Sequence, residues 1–165
     1  MKNNFETVRT VEVYVPRNRN AKYLTDLDIV KNDCGRFGIF EPVDQTLILP
    51  CEYDRIEPIG NNATFLLTQG NKNGLCDFVS YHSHGAELNF NTGCWADTIE
   101  FNTDGGTDVF ALRSEDCLYL YVPHLLYWTE QCERFVITNG HLVTFDDEGN
   151  VYEVICLYDT CKACN

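Results

Sequence analysis

The C-terminal stretch Cys156…Cys161-Lys162-Ala163-Cys164 contains the chain's one CxxC pair. Two thiolates two residues apart can bind one tetrahedral zinc ion. A second pair of ligands is then needed, and Cys132 or His141 would have to complete the site through the fold. Cys156, Cys161 and Cys164 are therefore the candidate ligands of a structural zinc, the one cofactor the sequence suggests. The same spacing serves redox dithiols, but that chemistry is usually set at a helix start, which is not evident in this tail. The plainer reading is a frayed, reduced tail. Tyr81-His82-Ser83-His84 places two imidazoles on one side of an extended loop. Such a pair can chelate a metal weakly or titrate near neutral pH, although an exposed polar loop also accounts for it.

Carboxylates form the second chemical set. Asp97, Glu100, Asp104 and Asp108 fall near one connection, and Asp146, Asp147 and Glu148 share one turn. The net charge is −13. Phosphate contacts need Lys and Arg, so this balance argues against direct contact with nucleic acid or an anionic membrane. It favours a basic protein partner. Carboxylates held on a rigid sheet can also imitate a phosphate track and occupy the basic groove of a nucleic-acid-binding protein or ribonucleoprotein. Small acidic inhibitors, phage anti-defence and anti-CRISPR proteins among them, work this way. That comparison rests on charge and size, and a solvated acidic surface is the plain alternative. Trp95, Tyr119, Tyr121, Tyr127 and Trp128 are candidate interface anchors, a role that competes with packing in an ordinary β core.

Catalytic signatures are absent from the sequence: there is no GxGxxG, GxxxxGK[ST], HExxH or GxSxG. Nine cysteines and four histidines permit a Cys-His dyad, but no spacing selects one. The expectation is a non-catalytic module, with an enzyme of unknown class as an alternative.

The elements that must position these groups read as strands. Hydrophobic residues make up 44% of the 165-residue chain and aromatics 13%, too much for intrinsic disorder. The apolar runs are short, and none approaches the ~18 residues that span a membrane. The start MKNNFETVRT has no apolar core of a signal peptide, so reduced cysteines and a soluble, cytoplasmic protein are expected. Thr7–Val15 alternates, with Val11, Val13 and Val15 on one face. Pro16–Asn20 reads as a polar loop. Ala21–Val30 fits a strand better than a helical turn. Gly35–Ile56 reads as strand, turn, strand, with a turn at Pro42–Gln45 and a closing phrase Cys51-Glu52-Tyr53-Asp54-Arg55-Ile56. Ala63–Thr68 is a further strand, and Gln69–Gly74 is a turn through Asn73-Gly74, the strongest short hairpin signal.

Weaker copies of this unit follow. One begins at Gly74–Val79, one at Cys117–Val122 and one at Gly140–Phe145, and Asp108–Arg113 corresponds to Ala63–Thr68. Cys51, Cys94, Cys132 and Cys156 open four closing phrases, spaced 43, 38 and 24 residues apart. The short last step predicts a truncated end copy in which the intervening strand is missing.

Phe37-Gly38, Ile48-Leu49-Pro50, Tyr53-Asp54 and Ile56 carry a resemblance to the WG (KWG) repeat, a bacterial motif. Phe37 stands where Trp is usual, and the later units lack the aromatic-Gly pair. The resemblance implies an all-β array used for recognition, and the family has no catalytic residues to carry over. The expected protein is all-β, built of about four antiparallel β-hairpin repeats in an open array or a barrel-like or propeller-like closure. Residues 1–33 form an N-terminal strand and loop segment, 34–161 the repeat domain and 162–165 a tail.

Overall fold

The computed structural model describes residues 4–18, 21–61, 63–80, 85–104, 107–115, 117–123, 127–128 and 132–157. Their structure is all-β and wholly antiparallel. The first sheet contains β1 (Phe5–Asn18), β2 (Ala21–Asn32), β3 (Phe37–Glu41) and β4 (Thr46–Tyr53) in that order. The second contains β5 (Arg55–Pro58), β6 (Thr64–Gln69), β7 (Lys72–Ser80) and β8 (Ala86–Asn91). The third contains β9 (Thr98–Asp104), β10 (Thr107–Ser114), β11 (Cys117–Val122) and β12 (Tyr127–Trp128). The fourth contains β13 (Arg134–Thr138), β14 (His141–Phe145) and β15 (Val151–Cys156). Among the described residues no pairing joins one sheet to another or closes a sheet into a barrel, and no helix is long and apolar enough to cross a membrane.

The chain divides into two compact units, Met1–Trp95 and Ala96–Asn165. In the first, alternation builds the core. Val11, Val13 and Val15 of β1 are buried with Leu27 and Ile29 of β2, as their period of two requires. Ile39 and Leu49, and then Phe65, Leu67, Cys76 and Phe78 of the second sheet, complete the same cluster. Ala21–Asn32 is one continuous strand. The Pro16–Asn20 loop is shorter than its polarity predicts, because the β1–β2 ladder continues through Pro16↔Lys22 and Arg17 lies over the Tyr23 ring. β2 pairs in turn with β3 from Asp28↔Phe40 to Lys31↔Phe37, so the N-terminal hairpin and the first repeat share one sheet. The Pro42–Gln45 turn is held by the buried Glu41 carboxylate, which accepts the amides of Val43 (3.1 Å) and Asp44 (2.5 Å).

The turn expected at Asn73-Gly74 is displaced. Gln69 pairs with Lys72, which leaves Gly70 and Asn71 as the two-residue connection, and Gly70 has φ +63°. Asn73 and Gly74 lie inside β7. Gly74 is required there by a close approach, since a Cβ would stand 2.1 Å from the carbonyl oxygen of Gly93.

In the second unit Val109 and Ala111 of β10, Leu118, Leu120 and Val122 of β11, Leu142 of β14 and Leu157 form the core. Thr107 closes its edge by donating its hydroxyl to the Leu157 carbonyl, 2.9 Å away.

The first three closing phrases are the crossings from one sheet to the next. The amide of Asp54, the residue before β5, donates to the Thr68 carbonyl (2.8 Å), and Arg55 pairs with Thr68. Asp97, the residue before β9, donates to Arg113 (2.7 Å), and Thr98 pairs with Arg113. Glu133, the residue before β13, donates to Phe145 (3.1 Å), and Arg134 pairs with Phe145. The three junctions therefore share one pattern: a buried residue (Tyr53, Ala96, Cys132), an exposed acid (Asp54, Asp97, Glu133), an exposed residue, then an apolar one (Ile56, Ile99, Phe135).

This register corrects the sequence alignment of the last two copies. Cys132 matches Tyr53 and Ala96 rather than Cys51 and Cys94, so the acid of the third junction is Glu133. β14 is the counterpart of β6 and β10, and it is the strand thought to be missing. Gly140–Ile155 is thus the second and third strand of the fourth sheet rather than a truncated hairpin copy. The shared cysteine column misled because cysteine is frequent in this chain, whereas strand register is fixed by backbone bonds.

Candidate functional site

The junction acids bind the chain's own turns first. In the first unit the Asp54 carboxylate accepts the amide of Gly70 (2.7 Å) and pairs with the Arg36 guanidinium. The Gly70 amide, followed by Arg36, holds this carboxyl below the usual carboxylate range. In the second unit Asp97 accepts the Ser114 hydroxyl (3.1 Å). Both acids tie the start of a sheet to the turn between that sheet's second and third strands.

The same bonding places further carboxylates along one rim of the second unit. Ser114 precedes Glu115 and pairs with Cys117 across the β10–β11 turn. The next residue, Leu118, accepts the Cys132 amide (3.2 Å), and Glu133 donates to Phe145, which precedes the Asp146–Asn150 turn. That turn is rigid. Asp146 accepts the Asn150 amide (2.8 Å), and Asn150 Nδ2 also donates to Asp146 (3.3 Å) and Glu148 (3.2 Å). Asp97, Glu115, Glu133, Asp147 and Glu148 are exposed, and Asp146 is half-buried. Nearby cations are engaged within the unit: Arg113 pairs with Glu100 (3.1 Å), and Arg134 lies 4.3 Å above the Phe145 ring. A shallow depression lined by Arg113, Ser114, Glu115, Cys117, Cys132 and Glu133 lies along the rim.

The rim unites Asp97 with Asp146, Asp147 and Glu148. Glu100 lies three residues further on, within β9, and pairs with Arg113. Asp104 does not belong to it. It sits at the far end of a seven-residue strand, about 24 Å from Asp97 at ~3.4 Å per residue. Asp108 is 0% exposed and accepts the Thr103 hydroxyl (3.3 Å), so it is a core polar group. Tyr121 is 2% exposed and is also a core residue. Tyr119 and Trp95 are half-buried, and the side chain of Trp128 lies outside the described residues. Glu115 and Glu133 were missed. The signal for Glu133 was its place immediately before a strand, which an alignment on cysteines hides.

Cys156 is half-buried at the end of β15, while Cys161, Cys164, His82 and His84 lie outside the described residues. Among the described residues no three His, Cys, Asp or Glu side chains converge as metal ligands. Burial pushes the Cys51, Cys76, Cys94 and Cys132 thiols up from their ordinary value, the opposite of an activated nucleophile. His141 Nδ1 lies 2.9 Å from the Asn139 carbonyl oxygen. What the rim offers chemically is exposed negative charge. Comparison with protein-family models, with curated proteins and with solved structures finds no match for this chain.

Proposed function

We propose that the protein is a non-catalytic protein-binding module whose partner is basic. The observation that carries this reading is the rim of Asp97, Glu115, Glu133, Asp147 and Glu148, fixed by backbone register while its neighbouring cations are occupied. Such a surface raises association rates with a positive partner and fixes orientation. The resemblance of residues 35–56 to WG repeats supports recognition as the role. A cytoplasmic location and a structural zinc at the C-terminal cysteines belong to the same proposal and do not carry it.

A second reading is inhibition of a nucleic-acid-handling complex by occupation of its basic groove. The run of carboxylates along one rim favours it, because a phosphate track has one sign of charge.

A tagged pull-down from the native host at low and physiological salt, read by mass spectrometry, tests both. Recovery of a basic protein or ribonucleoprotein that is lost as salt rises is the expected result. Displacement of that partner's nucleic acid would select the second reading. Recovery of nothing above background would overturn both.

A further inference from the structure

His141 and Cys156 stand directly opposite each other on the paired strands β14 and β15. The Leu157 amide donates to the Gly140 carbonyl (2.8 Å), one residue outside that pair on each strand. His141 and Cys156 are therefore a non-hydrogen-bonded pair, the kind that brings Cα atoms to about 4.5 Å and side chains closest. Leu142 and Ile155, the next residues along, pack on the core. His141 and Cys156 thus share the other face of the sheet, where both are half-buried. The turn before β14 sets the imidazole. Asn139 and Gly140 join Thr138 to His141 with φ +49° and +74°, the positive pair of a type I′ turn. That turn places the Asn139 carbonyl oxygen 2.9 Å from Nδ1. A carbonyl only accepts, so Nδ1 carries the proton and Nε2 carries the lone pair. A histidine oriented in this way through one nitrogen ligates metal through the other.

We propose that His141 Nε2 and Cys156 Sγ are two of the four ligands of a structural zinc ion, with the thiolates of Cys161 and Cys164 as the other two. This rests on the zinc component of the proposed function and gives it a ligand set. It does not depend on what the protein binds. Cys161 and Cys164 lie outside the described residues and enter through their CxxC spacing alone. Three thiolates and one imidazole are an ordinary set for structural zinc. Cys132 competes with His141 for the remaining place, and the fold decides between them. Cys132 is 5% exposed, and its amide and thiol both approach the Leu118 carbonyl (3.2 and 4.0 Å). It packs in the core with Leu142, whereas Cys156 points away from that core. Zinc–sulfur bonds of about 2.3 Å cannot span the sheet between them. The ion would tie the chain after β15 to the start of β14.

The test is elemental analysis of the full chain, purified under reducing conditions and desalted, followed by titration with zinc and with cobalt(II). One tightly held zinc per chain is expected. His141→Ala and Cys156→Ala should each weaken zinc binding more than about a hundredfold, beyond the cost of losing a ligand's outer partner. His141→Cys should restore binding, and its cobalt(II) form should gain thiolate charge-transfer absorption. That rescue separates a lost ligand from a lost fold. Cys132→Ala should keep its zinc. Absence of zinc from the desalted protein overturns the proposal, as does zinc binding that survives His141→Ala or the double variant Cys161→Ala, Cys164→Ala. Loss of zinc in His141→Ala that His141→Cys fails to restore overturns it too. Zinc-free protein that captures a basic partner removes the site and leaves the binding-module reading standing. An empty pull-down beside one zinc per chain supports the site and counts against that reading alone.

Discussion

The amide of Gly70 donates to the carboxylate of Asp54 across 2.7 Å, joining the crossing between the first two sheets to the β6–β7 turn. With Arg36 on its other side, Asp54 holds its charge more readily than an ordinary aspartate. A depressed folded pKa contributes stability that is present above the ordinary value of 3.8 and lost as pH falls through the folded value. Asp54→Asn should therefore melt lower than the parent protein between pH 5 and 8, and the gap should close below about pH 3.8. Thermal melts at four or five pH values check this, and a gap independent of pH would refute it.

Opposite linkage governs the thiols. Burial raises Cys76 most clearly, and Cys51, Cys94 and Cys132 with it. The unfolded chain releases these protons first as pH rises, so stability should fall above about pH 9. Native alkylation with iodoacetamide followed by peptide mass spectrometry should label exposed Cys34 before buried Cys76, which reacts only on unfolding.

Two glycine substitutions separate backbone strain from steric collision. Gly70→Ala adds a Cβ with open space around it, so its cost is that of φ +63°, about 1–2 kcal/mol. Gly74→Ala drives a Cβ into the Gly93 backbone and should cost more, because β7 and the chain at Gly93 must part. Urea midpoints rank the two, and the reverse order would refute the close approach.

Core and edge should respond very differently to truncation. Phe65 is fully buried and meets Phe78 edge-on at 5.6 Å between centroids. Phe65→Ala should cost about 3–5 kcal/mol. Tyr152→Ala on the exposed β15 should stay within about 0.5 kcal/mol.

Charge removal on the rim should act on association, not on folding. Asp147→Asn with Glu148→Gln should lower the association rate for the captured partner at low salt. The difference should vanish near 0.5 M salt, where screening is nearly complete within a few ångströms. Stopped-flow binding across a salt series measures it, and a salt-independent loss would point to direct packing instead.

The strands were legible where one face is wet. Val11, Val13 and Val15 alternate with exposed neighbours, and the pattern leads directly to β1. In β10 the pattern vanishes, because Val109, Phe110, Ala111 and Leu112 are all buried and both faces are covered. Asp108 and Tyr121 were unreadable for that reason: a polar or aromatic residue beside such a run carries no mark of the face it occupies. Asp104 misled for another reason, since in an extended chain seven residues of sequence are many ångströms of space. The acids of the rim were partly legible through Asp97 and the Asp146–Glu148 turn. Glu133 required the backbone register.

Every described strand pair joins consecutive segments, from β1 with β2 to β14 with β15. Each pairing therefore closes only a short loop, at small entropic cost, and none must wait for a distant part of the chain. Folding can then proceed hairpin by hairpin from the N-terminus during synthesis, with Asp54 and Asp97 each waiting for the turn that follows it.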